Sequence, residues 1–198
     1  VNPHGPGAGS DIFLRALIAA SKDFVGVPMN INYVAGAAGA AGLAYVADQP
    51  ADGYTITECS SDTVLLDITQ RTKFRMDDVI FLFRGVHDIS AIHVLKDHPS
   101  IKSFKDVMEI SKTKKGEKIT LAGAGMFGVD HIWIQYLNKL AGSEILFIPF
   151  DKGGERHASF LGKHVSLLSD EIADTQTMRE AGKINTILVG YDKRIAAY

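Results

Sequence analysis

Short runs rich in β-branched and aromatic residues alternate with stretches of helical periodicity along almost the whole chain, and few folds accommodate that order. It is the pattern of βαβ units, so the expected class is α/β, a mainly parallel sheet covered by helices. The periodicity predicts helices over 10–24, 38–48, 104–112, 129–140, 155–161 and 172–181. Strands are predicted over 29–33, 54–59, 79–86, 91–95, 118–122, 145–149, 165–168 and 186–189. Only His87, Asp88, Ile89 and Ser90 separate the runs 79–86 and 91–95, and the chain is expected to cross between two lobes there.

The 198 residues are 46% hydrophobic and carry a formal net charge of -2, enough for a proper core and too mixed in sign for a nucleic-acid footprint. Lys112, Lys114 and Lys115 form the densest basic group, so no nucleic-acid partner is expected. The single Cys59 has no partner for an intramolecular disulfide and, inside a predicted strand, reads as a small buried hydrophobe. No run approaches the roughly 20 apolar residues of a membrane span, since 35–47 is mostly Gly and Ala, so direct membrane insertion is not expected. Val1-Asn2 passes straight into a turn, like a strand cut at its start, and no signal peptide is visible in this chain.

What lies between strands and helices carries the chemistry. Gly7-Ala8-Gly9-Ser10-Asp11, Ala35-Gly36-Ala37-Ala38-Gly39, Gly123-Ala124-Gly125-Met126-Phe127-Gly128 and Lys152-Gly153-Gly154 each precede a helix. Glycine lets a backbone approach a ligand, and the first N–H groups of a helix lack internal partners, so each loop is a potential anion cradle. One such turn is ordinary, with Ser10 and Asp11 as cap and first-turn acid; four at one sheet edge point to a pocket.

Other chemistries fit less well. Residues 123–128 spell G-x-G-x-x-G between a strand and a helix, with Asp151 after the next strand, which is a dinucleotide fingerprint. Met126 and Phe127 are bulky for a pyrophosphate turn, and no hydride-transfer partner is evident, so no cofactor is expected. The seven histidines show no metal-site spacing and no G-x-S-x-G elbow is present, so no metal and no catalytic residue is assigned. Asp130-His131 opens a helix, where a cap and a ligand contact are equally good readings. Lys152 and Arg156 flank the fourth loop and read as solvated charges.

Pro6-Gly7-Ala8-Gly9-Ser10-Asp11 followed by Arg15-Ala16-Leu17 resembles the P-G-G-G-S-D…R-A-L opening of the solute receptors of tripartite tricarboxylate transporters. Ala35-Gly36-Ala37-Ala38-Gly39 and Asp52-Gly53-Tyr54-Thr55 are similar to that family's P-G-A-G-G and D-G-Y-T, and 125–131 to its G-x-G-x-x-D-H. Pro149-Phe150-Asp151-Lys152-Gly153-Gly154-Glu155, Leu161-Gly162-Lys163-His164-Val165 and Ala181-Gly182-Lys183 resemble further family motifs in the same order. Ala8 and Ala38 stand where the family has glycine, Tyr33-Val34-Ala35 where it tends to have N-R-P, and Arg156 where it has a small residue.

The resemblance implies a periplasmic, two-lobed Venus flytrap clamshell, each lobe a mainly parallel sheet flanked by helices. It places an incomplete first lobe at 1–88, a second at 89–190 and the start of a return at 191–198, a truncated chain by the family's measure. It implies a receptor, not an enzyme, that binds a di- or tricarboxylate or related acid in the cleft and docks on membrane permease subunits as a monomer. Gly7, Ala8, Gly9, Ser10, Asp11, Gly36, Ala37, Ala38, Ser60 and Ser61 would line the cleft from one lobe. Gly125, Phe127, Gly128, Asp130, His131, Phe150, Asp151, Gly153 and Asp170 would line it from the other. Backbone N–H groups and hydroxyls, with bridging water, would hold the carboxylates. The alternatives are a dinucleotide-dependent enzyme using 123–128 and a ligand-sensing domain without transport.

Overall fold

The computed structural model describes residues 1–7, 9–87, 89–112 and 118–193; Ala8, Asp88, Lys114, Lys115 and most of the expected return segment lie outside them. The described chain divides into two compact units: residues 1–83 with 125–129 and 151–154, and residues 84–124, 130–150 and 155–198.

In the second unit continuous apolar runs, buried along the central strands, alternate their side chains between the two faces of a sheet with a core on each. Its strands are β1 (Ser90–Leu95), β2 (Thr120–Ala124), β3 (Leu146–Phe150), β4 (Leu167–Glu171) and β5 (Ile184–Val189), in the order β3-β2-β4-β1-β5. β2 runs parallel to β3 and β4, while β1 pairs antiparallel with β4 and β5. On one face Ile92, Val94, Leu121 and Leu167 pack against helices α4 (Phe104–Lys112) and α5 (Val129–Ala141) through Val107 and Ile134. On the other, Leu95, Ala122 and Leu168 meet Phe160 of α6 (Gly153–Leu161) and Met178 of α7 (Gln176–Glu180). Adjacent residues Leu121/Ala122 and Leu167/Leu168 thus serve opposite cores, as a pleated strand requires. The expected helix over 172–181 shortens to α7, with the preceding residues in a turn.

The first unit holds α1 (Gly9–Ser21), α2 (Ala40–Ala47) and α3 (Ser61–Ile68). α2 and α3 close a small core of Ala40, Leu43, Leu66 and Phe74. The strands expected over 29–33, 54–59 and 79–86 correct to extended chain without a ladder. Asn2 makes a parallel bridge to Tyr33, donating to the Asn32 carbonyl at 2.8 Å and accepting from Val34 N–H at 3.0 Å, while the Val1 ammonium donates to the Ile56 carbonyl at 2.6 Å. Along 79–86 no neighbouring strand is found among the described residues, and Ile80, Phe81, Leu82 and Phe83 are 59–88% exposed. Cys59 is likewise exposed, not buried, because the strand meant to pack it does not form.

Candidate functional site

All four glycine loops contribute to the first unit. Gly5 and Gly7 hold φ of 75° and 80°, which turns the chain tightly into α1. The Gly7 N–H donates to Asp11 Oδ2 at 3.0 Å; the other carboxylate oxygen accepts from the Tyr33 hydroxyl at 2.6 Å and from Arg15 Nε at 2.9 Å. Burial pushes the Asp11 carboxyl up, but the Tyr33 and Gly7 hydrogen bonds and the Arg15 charge outweigh it and hold it below the usual carboxylate range. Asp11 thus ties Gly7, Arg15 and Tyr33 together through three accepted hydrogen bonds. Ser10 donates to Asn2 Oδ1 at 3.1 Å, an oxygen that also accepts the His4 N–H at 2.8 Å. Gly9 begins α1, and Ala8 lies outside the described residues.

The second loop is strained. Gly36, Ala37, Ala38 and Gly39 have φ of 144°, 50°, 56° and 91°, four positive values in succession with two alanines among them. Each alanine there costs roughly 1–2 kcal/mol relative to the right-handed region, and such strain persists where the surroundings over-determine it. The constraint is close: a Cβ on Gly125, itself at φ 50°, would lie 2.5 Å from the Ala38 Cβ. Ser60 caps α3, accepting the Asp62 N–H at 3.2 Å in a capping box with Thr63, and Ser61 is the first helical residue.

Sequence reasoning missed two partners of the 125–129 segment. Asp62 accepts the Val129 N–H at 2.7 Å; Arg71 donates to the Met126 carbonyl at 3.4 Å and sits 5.0 Å from the centroid of the Phe127 ring. Phe127 is 57% exposed at φ 64°, and Gly128 is buried. Asp151 is exposed, Gly153 is buried at the start of α6, and a Cβ on Gly7 would touch the Gly154 backbone at 3.5 Å.

The first two glycines of the dinucleotide fingerprint are taken up by packing. A Cβ at Gly123 would come 2.5 Å from the Phe147 ring, and the one at Gly125 meets Ala38, so each is needed for close approach within the protein.

In the second unit, Asp130, Arg156 and Asp170 form a buried ionic network at the carboxyl ends of β2 and β4. Asp130 Oδ2 accepts the Ala124 N–H at 2.8 Å, and Oδ1 accepts the Ser169 hydroxyl at 2.9 Å. Arg156 donates to Asp170 Oδ1 at 2.6 Å and lies 4.0 Å from Asp130 Oδ2. His157 pairs with the other Asp170 oxygen. Arg156 is 5% exposed, which corrects its reading as a solvated charge. The signal was present: Arg156 lies four residues before Phe160, hence on the buried face of α6. Lys152 is exposed as expected.

Burial pushes the Asp130 carboxyl up despite Arg156, whereas at Asp170 Arg156 and His157 overcome burial and hold the carboxyl down to about 2. Asp170, Glu171 and Asp174 bring carboxylate oxygens within 4.8 Å of one another, but Asp170 is already ion-paired. His131 stacks on Phe147 with centroids 4.8 Å apart, and Phe150 packs beside the α6 core.

The model of the tripartite tricarboxylate transporter family receptor matches residues 13–198. The chain belongs to that family. Among curated relatives, a UPF0065 protein of the TAR-I intergenic region of Agrobacterium vitis is 23% identical over 202 residues, covering 98% of this chain and 56% of that protein. Protein BugT of Bordetella pertussis is 24% identical, over 81% of this chain and 50% of its own length. The chain thus spans about half the length of the curated relatives it matches. MatC of Rhodopseudomonas palustris with bound malate superposes with a TM-score of 0.85 at 20% identity, covering 98% of this chain and 67% of that one. A second R. palustris protein with adipate gives 0.77 at 19%, over 98% and 66%. The periplasmic binding protein BugD gives 0.76 at 23%, over 98% and 65%. The chain therefore has the α/β fold of the periplasmic binding protein structures it matches. Among the described residues, no helix is long and apolar enough to cross a membrane.

Proposed function

We propose that this receptor is a non-enzymatic, extracytoplasmic binding protein that takes a small carboxylate on its glycine loops and hands it to membrane permease subunits. The observation that carries the reading is the left-handed run Gly36–Gly39, strained at Ala37 and Ala38 and gathered with the other glycine loops into one unit. Strain of this kind collects at ligand clamps, and loops preceding helices suit an anion. Asp11, Asp130 and Asp170 have protein partners, so the reading gives them the shaping of loops and gives ligand contact to backbone N–H groups and to exposed neighbours such as Phe127. The bound malate and adipate of the two R. palustris structures suggest a dicarboxylate.

A thermal-shift screen of the protein against malate, adipate, citrate and acetate, with NAD, NADP and ATP alongside, tests the proposal. A shift that follows one carboxylate class supports it; a response to nucleotides alone overturns it in favour of a cofactor site at 123–128.

A further inference from the structure

We infer that Arg156 is a positioning residue, whose guanidinium holds the ends of β2 and β4 and the first turn of α5 in one arrangement by engaging Asp130 and Asp170 together. The inference rests on the proposed carboxylate-binding role for its functional consequence, though not for its structural one.

Arg156 is an expensive residue where it stands. It lies in the first turns of α6, where the helix dipole disfavours a cation, and it is 5% exposed. Its Nε has no hydrogen-bond partner among the described residues. The two carboxylates it pairs with, Asp170 first and Asp130 next, offset these costs, and both are buried as well. Each carboxylate in turn fixes backbone. Asp130 closes the turn from β2 to α5 by accepting the Ala124 N–H at 2.8 Å, and reaches β4 through the Ser169 hydroxyl at 2.9 Å. Asp170 accepts the Glu171 N–H at 3.2 Å as well as Arg156 and His157. Without Arg156, Asp130 loses the guanidinium 4.0 Å from its Oδ2. Burial already favours its protonated form, and a protonated Asp130 exchanges an acceptor for a donor. As a neutral acid Asp130 is a weaker acceptor than a carboxylate, so its bonds to the Ala124 N–H and the Ser169 hydroxyl loosen. A lysine keeps the charge, but as a compact ammonium it cannot serve two carboxylates with a planar fork.

Arg156→Lys in the whole protein, compared with wild type by amide hydrogen exchange and by calorimetric titration with malate and adipate, tests this. The Ala124 and Glu171 amides should exchange roughly tenfold faster, the loss of about one charge-assisted hydrogen bond, while Ile92 and Val94 in β1 stay as in wild type. Whichever of the two acids binds wild type should bind the variant roughly tenfold more weakly, as when an outer partner of a binding site is removed. Unchanged exchange at Ala124 and Glu171 overturns the inference. If neither acid binds wild type, the carboxylate reading suffers, and the exchange result still decides the role of Arg156. Should Arg156→Lys fail to fold, Arg156→Gln, which keeps a donor for Asp170 but drops the charge and the planar fork, takes its place with Asp130 and Asp170 intact. Fast exchange at Ala124 in that folded variant supports positioning, and wild-type exchange there overturns it.

Discussion

Glycine and alanine exchange roles at the tightest point of the first unit. Gly125 and Ala38 approach so closely that a methyl group fits on one of them and not on both. Gly125→Ala places a Cβ 2.5 Å from that of Ala38 and puts a third alanine, after Ala37 and Ala38, at φ near 50°. Its expected cost is about 1–3 kcal/mol of stability, the usual range for overpacking, read as a lowered urea midpoint; an unchanged midpoint would show that the loop yields freely. At this scale the sequence was half legible. The motifs located the loops, because glycine before a helix has few other uses. Pairings such as Asp62 with Val129 N–H and Arg156 with Asp170 were hidden, because they join positions far apart in the chain.

Elements were legible in proportion to how local their causes are. The helix expected over 104–112 coincides with α4, and that over 129–140 matches α5 to within a residue, since periodicity and capping act over a few residues. The second unit's strands were also found, displaced by one to three residues, because the apolar runs of β1, β2 and β4 are buried and those of the edge strands β3 and β5 partly so. Strands over 29–33, 54–59 and 79–86 failed for the opposite reason: β propensity describes fitness for a sheet, and the sheet must be supplied by other segments. The helix α3 shows how local such a cause can be. Its start is set by the reciprocal Ser60–Thr63 box, with Ser60 N–H donating to Thr63 Oγ1 at 3.1 Å. Ser60→Ala should cost about 1 kcal/mol. The loss should appear in chemical denaturation, with faster amide exchange confined to the first turn of α3; a loss spread evenly over α2 and α3 would instead indicate a packing role.

For the molecule as a whole, the buried ionic network ties stability to pH. His93 lies wholly buried in β1, its Nδ1 at 3.0 Å from the Thr186 hydroxyl and its Nε2 at 3.4 Å from the Asp170 carbonyl. Burial pulls it down to about 4 against the attraction of Asp170, from an ordinary 6.5. The folded state therefore binds fewer protons than the unfolded chain between those values. The stability His93 permits is complete above pH 6.5 and is lost as pH falls toward about 4, by at most about 3 kcal/mol. Asp170, held down to about 2 from 3.8, adds a second loss below 3.8. Glu171 acts in the opposite sense: burial and the charges of Asp170 and Asp130 raise it well above its ordinary 4.5, so it favours the folded state less as pH rises from there. Because these slopes overlap, the decisive quantity is a difference. His93→Gln removes one titration and leaves the carboxylates in place, so the gap in unfolding free energy between wild type and variant should narrow steadily as pH drops from 6.5 to about 4, and level off below. A gap that stays constant across that interval would mean that His93 gains its proton in the folded protein as readily as in the unfolded chain, and that the strand pair β1–β5 opens around it.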